Sequence, residues 1–147
     1  MKRALLAALV TAAACSAGRP SAAPTITRVE LRLVPGDGRA WVAFDTAGKA
    51  RGGHMSGGAA PTVHIDTATI AADSARALFA AVRALDAALL ARRGPPTDTA
   101  RAGTATLAVT FSDSTQAQIV WTATSRPPGE HVQAVLDHVI ANRIGGW

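Results

Sequence analysis

Arg28-Val29-Glu30-Leu31-Arg32-Leu33 alternates charged and apolar side chains at every step. Successive strand residues point to opposite faces. The stretch therefore predicts a β-strand with Val29, Leu31 and Leu33 in a core and Arg28, Glu30 and Arg32 in water. A sheet with one wet face needs cover on the other. That requirement governs the reading of the rest of the chain.

Outward from this strand, which begins at Ile26, Pro35-Gly36-Asp37-Gly38 predicts a turn. Proline fixes φ there and glycine admits positive φ. Arg39 to Asp45 predicts a second strand, with Val42 and Phe44 on one side and Trp41 and Ala43 on the other. Thr46 to Lys49 turns again, and a short strand runs to Gly52. Gly52 to Pro61 reads as a flexible loop, because glycines crowd it and only Met55 offers an apolar anchor. Thr62 to Thr67 alternates as a further strand. From Ala72 or Asp73, the residues Ala75, Leu78, Phe79, Val82, Leu85 and Leu89 fall at helical spacing. They make one apolar stripe that ends at Arg92-Arg93 and Gly94-Pro95-Pro96. Thr104 to Phe111 and Gln116 to Thr122 predict a hairpin around Ser112-Asp113-Ser114-Thr115. A last helix to about Asn142 carries Val132, Val135, Leu136, Val139 and Ile140. The predicted fold is α+β, in the order ββ(β)βαββα. It is a two-layer sandwich: a mainly antiparallel sheet of about five strands with two helices on one face.

The first residues carry a different signal. Lys2 and Arg3 precede an apolar run from Ala4 to Val10, then Ala12-Ala13-Ala14 and the single cysteine, Cys15. The run is too short to span a bilayer, which takes ~20 residues. It fits a secretory signal. The segment resembles a bacterial lipoprotein signal, although Ala12 stands where that pattern prefers leucine. The resemblance implies diacylglycerol on the Cys15 thiol and palmitate on the mature chain. Ser16 after the cysteine implies sorting to the outer membrane, facing the periplasm or the surface. The expected organisation is a signal peptide over 1–14, a lipidated tether over 15–24 and one domain over 25–147. Ordinary cleavage at an Ala-x-Ala site, releasing a soluble secreted protein, is the alternative.

Composition excludes several classes. A lone cysteine permits no internal disulfide and no cysteine zinc cluster. Without Lys2 and Arg3, 13 basic side chains stand against 10 acidic ones. The basic residues are spread along the chain, tyrosine is absent and only three phenylalanines occur. A nucleic-acid partner is not expected from that pattern. Gly36-Asp37-Gly38 fails as a dinucleotide fingerprint, because Trp41 occupies the third glycine position and a strand follows. Gly48-Lys49 fails as a phosphate loop, since Ala43 and Ala50 replace its first glycine and its hydroxyl residue. Neither a Gly-x-Ser-x-Gly elbow nor a His-Glu-x-x-His helix occurs.

The remaining chemistry-bearing residues are few. His54, Met55 and Ser56 form a candidate binding loop. His64 and Asp66 lie two apart on one strand face, where a carboxylate could orient an imidazole. His131 and His138, seven apart, read as a solvated helix face, too far apart to chelate one ion unaided. Trp41 and Trp147 read either as exposed anchors or as caps on the sheet or core edge. No cofactor or metal is expected.

From Gly52 to Asn142 the layout resembles emfourin-type proteins, small inhibitors of thermolysin-like metallopeptidases. The likeness lies in Gly52-Gly53-His54-Met55-Ser56-Gly57, then Val63-His64-Ile65-Asp66-Thr67, the helix with Ala75, Leu78 and Val82, a hairpin and a last helix. The two strands before Arg51 are extra and resemble several exported domains of unknown function. The leading expectation is a lipid-anchored, non-enzymatic binding or accessory domain of the cell envelope, with an unidentified envelope protein as partner. An inhibitor of an exported peptidase is the alternative; it would need a rigid exposed loop over Gly52 to Pro61. A small hydrolase comes third and would need His64 and Asp66 to converge with a serine.

Overall fold

The computed structural model describes residues 22–35, 38–99 and 101–144. The signal segment, Cys15 and Trp147 lie outside the described residues. The described residues form an α+β fold with one antiparallel sheet of six strands and three helices. The strands are β1 (Ile26–Val34), β2 (Arg39–Asp45), β3 (Lys49–Met55), β4 (Val63–Thr69), β5 (Thr104–Phe111) and β6 (Gln116–Thr122). The helices are α1 (Ala72–Arg83), α2 (Ala87–Ala91) and α3 (Glu130–Ala141). Spatial order in the sheet is β4-β3-β2-β1-β5-β6.

β1 sits inside the sheet, between β2 and β5. Val29 faces Phe44 on one side and Val109 on the other; Leu31 faces Val42 and Leu107. These residues join Leu78, Phe79 and Val82 of α1 and Val132, Val135, Leu136 and Val139 of α3 in one buried cluster. Each such aliphatic or aromatic side chain contributes about 1.5–3 kcal/mol by leaving water. The odd-numbered face of β1 is thus the core face, and α1 and α3 supply its cover.

Two expectations about the elements are corrected. Among the described residues the strands number six, because Lys49–Met55 is a full strand, with Gly52, Gly53, His54 and Met55 in it and not in a loop. β3 pairs along its length with β2 and with β4, from Phe44↔Ala50 to Arg39↔Met55 and from Lys49↔Thr69 to Met55↔Val63. A strand held on both edges needs little propensity of its own. Among the described residues the helices number three, because the first helix does not reach Arg93. It stops at Arg83, and the Asp86 carboxylate then accepts the Ala88 N–H at 2.8 Å and starts α2. Aspartate is a strong N-cap, so it opens a second helix after the break. Arg93 consequently lies over the Phe111 ring at 5.1 Å and 3.6 Å from Asp113, against the β5–β6 hairpin.

Candidate functional site

The face of the sheet opposite the buried cluster gathers charge. Register places Arg28 and Arg32 of β1, Arg39 and Trp41 of β2, Lys49 and Arg51 of β3, and Val63 and Ile65 of β4 on that side. The basic residues are spread out in sequence, yet alternation and pairing bring these five together. Glu30 lies between two of them: Arg28 donates to its Oε2 at 3.0 Å and Arg32 to its Oε1 at 2.5 Å. Arg39, Lys49 and Arg51 are exposed.

Trp41 is the centre of this face. Its indole lies across β3 at Gly53: a Cβ there would stand 3.2 Å from the indole Nε1 and 3.3 Å from Cε2. The Arg51 guanidinium sits 5.9 Å from the ring centroid, a cation–π distance. A groove of about 590 Å³ opens beside it, with Trp41, Met55, Val63 and Pro96 as its apolar part and Arg32 and Arg39 among its polar ones. A second depression of about 500 Å³ lies at the other end, lined by Arg28, Asp45, Lys49, Arg51 and Thr67 among others.

One wall of the groove is built by the link between α2 and β5. Gly94 exchanges both backbone hydrogen bonds with Gln116. The Gln118 amide donates to the Thr97 carbonyl at 2.9 Å, and the Thr99 and Thr106 hydroxyls meet at 3.3 Å. These bonds hold the segment across β6 and β5, and Thr106 is buried beneath it. Pro96, Thr97 and Asp98 thereby face Trp41, Met55 and Val63 across the groove.

The residues singled out by sequence fall into three places. His54 and His64 are cross-strand partners on the core-side face, their rings stacked at 4.7 Å with an interplanar angle of 19°. His54 Nδ1 is buried without a hydrogen-bond partner among the described residues. Stacked rings aim their nitrogens sideways in parallel planes, which does not converge them on a metal. Among the described residues no group of three His, Cys, Asp or Glu is placed to hold one. Asp66 shares the His64 face but stands opposite Gly52. Met55 projects to the other side and lines the groove. Ser56 closes the hairpin: its N–H donates to the Thr62 carbonyl at 3.1 Å and its Oγ accepts the Thr62 N–H at 3.3 Å. His64 therefore meets His54 and not a serine. His131 is exposed on α3, and His138 is half-buried.

Sequence reasoning missed the basic face and the histidine stack. The signal for the first was present in the even-numbered positions of β1, but joining them to β2 and β3 requires the register. No family model matches the chain, and no curated protein matches it.

Proposed function

We propose that the chain is a lipid-anchored, non-catalytic binding protein of the cell envelope that holds its partner on the sheet face carrying Trp41. In this reading the fold is a two-layer α+β sandwich, with α1 and α3 on one face and the partner on the other. The common buried cluster of Val29, Leu78 and Val135 supports that arrangement. The observation that carries the binding half is the groove beside Trp41. It combines an aromatic plate, a methionine and a valine with arginines at its edge. Ligand sites join an apolar surface to a few placed polar groups in this way. Arginine and tryptophan are also the residues that most often dominate protein interfaces. The charge balance favours a partner segment that brings carboxylates around an apolar side chain.

The location half rests on Lys2, Arg3, the apolar run and Cys15. A diacylglycerol anchor holds a protein at a bilayer through its buried methylenes, about 0.8 kcal/mol each, and a further acyl chain makes the hold stable. Residues 15–24 would then act as a tether between membrane and domain. Export to the outer membrane follows from the same resemblance.

The binding half is tested by passing envelope extract over the immobilised full chain. Trp41→Ala and Arg39→Glu should lose the retained protein, while Ile140→Ser, on the exposed side of α3, should keep it. Equal capture by wild type and Trp41→Ala would contradict the proposal.

One feature favours the peptidase-inhibitor reading as a second choice. The residues 57–61 project beyond β3 and β4 as an exposed tip whose base is fixed by Ser56 and Thr62. Inhibition of a thermolysin-like metallopeptidase by the chain, lost on shortening 57–60, would select it over the first reading.

A further inference from the structure

The two edges of the sheet differ. The β6 edge is met by Gly94 at Gln116 and by α2. The β4 edge pairs with no strand among the described residues. All seven β4 residues are exposed, and Val63 and Ile65 keep 58% and 50% of their surface in water. An open, β-branched edge is a template for another strand.

The backbone sets which residues can take part. Ser56 N–H donates to the Thr62 carbonyl and Ile70 N–H to the Gly48 carbonyl, both in the register that pairs Met55 with Val63. In an antiparallel ladder the hydrogen-bonded pairs alternate. Even-numbered β4 residues therefore turn their N–H and C=O groups to β3. Val63, Ile65, Thr67 and Thr69 turn theirs outward, with no backbone partner among the described residues.

We propose that this edge joins a second copy of the chain, antiparallel, about a two-fold axis at Ile65. The sequence Val63-His64-Ile65-Asp66-Thr67 is self-complementary in that register alone. Ile65 meets its own copy through a hydrogen-bonded pair, and Val63 meets the partner's Thr67. His64 stands opposite the partner's Asp66, and by symmetry this happens twice. Moving the axis to Asp66 sets two carboxylates face to face. Moving it to His64 sets two imidazoles face to face. Across the ladder a histidine ring N–H can donate to the carboxylate opposite it, twice by symmetry. Two facing carboxylates repel, and two facing imidazoles leave both Asp66 carboxylates without that donor, so the axis at Ile65 is selected. A register off by one residue would also oppose outward groups with inward ones. The interface is isologous and closed, so it stops at the dimer. It joins the two sheets into one and leaves both Trp41 grooves on the same continuous face. The proposal does not depend on what the groove binds.

The test uses the full chain with Cys15→Ser, which removes the one native thiol. Cα atoms of a hydrogen-bonded antiparallel pair lie ~5.5 Å apart, within disulfide reach. Ile65→Cys should therefore cross-link to itself under mild oxidation. Thr67→Cys alone should not, because its copy lies roughly four residues, about 13 Å, along the strand. Mixed Val63→Cys and Thr67→Cys chains should cross-link with each other. Separately, in sedimentation, His64→Asp should weaken the dimer by about tenfold. The swap His64→Asp with Asp66→His should restore it. Ile65→Cys that cross-links no better than Thr67→Cys would overturn the proposal. So would a wild-type monomer at every concentration, or a swap that fails to restore association.

Discussion

The Trp41 indole occupies the space that a side chain at position 53 would fill. A Cβ on Gly53 would lie 3.2 Å from the indole Nε1 and 2.6 Å from the His64 carbonyl oxygen. The second contact is with backbone of β4, which cannot swing aside. Gly53, in the middle of β3, thus lets the tryptophan lie against the sheet. The groove depends on that fit.

Gly53→Ala should therefore destabilise the protein by about 1–3 kcal/mol, the ordinary cost of overpacking. Denaturant unfolding followed by far-UV circular dichroism reads it. A neutral result would contradict the close approach of both the β4 backbone and Trp41 to position 53.

The core face makes a sharper contrast. Leu78 on α1 is fully buried and Leu136 on α3 nearly so. Leu78→Ala and Leu136→Ala should each cost about 2–5 kcal/mol. His131→Ala, on exposed helix surface, should shift stability by less than about 0.5 kcal/mol. A cost at His131 comparable to the leucines would place that histidine in a packed or liganded site.

Much of this fold was legible in local pattern. Alternation in β1 and β5 and the apolar stripes of α1 and α3 depend on residues a few positions apart, so a single chain displays them. β3 was not legible beyond Gly52. Its Gly52-Gly53 pair has low strand propensity, and the strand exists because β2 and β4 hold both of its edges. Gly52 is further constrained from the core side, where a Cβ would stand 3.1 Å from Ile144. The end of α1 was also missed, because Leu85 and Leu89 continue the helical spacing across the Asp86 cap. The site suffered most. Placing Arg39 and Arg51 beside Trp41, or stacking His54 on His64, requires knowing which residue faces which across strands.

Amide exchange separates the corrected segment from its neighbour. The N–H groups of Gly52, Gly53, His54 and Met55 lie in an interior strand and should exchange slowly. Those of residues 57–60, at the exposed tip, should exchange fast. Fast exchange throughout 52–60 would return the segment to a loop.

Acid stability should report on the β5–β6 hairpin. The Thr115 hydroxyl donates to Asp113 Oδ1 at 2.6 Å and the Thr115 N–H at 3.0 Å, with Arg93 nearby. The hydroxyl bond first, then the backbone bond, hold the Asp113 carboxyl below its ordinary range. A carboxylate with a lowered folded-state pKa stabilises above its unfolded value and loses that contribution as pH falls through the folded one. Asp113→Asn should therefore lower stability at neutral pH and flatten its decline below about pH 4. An unchanged acid limb would show that Asp113 carries no pH-linked stability.

The central claim, a lipid-anchored envelope protein, is tested most directly by radiolabelled palmitate. The full chain is produced in a bacterial host that processes lipoproteins, and wild type is compared with Cys15→Ser. Label should enter the wild-type chain and follow it into the membrane fraction, while Cys15→Ser takes up none and is released from the membrane. Equal labelling of the two chains, or an unlabelled wild type that leaves the cell as a soluble protein, would contradict the account.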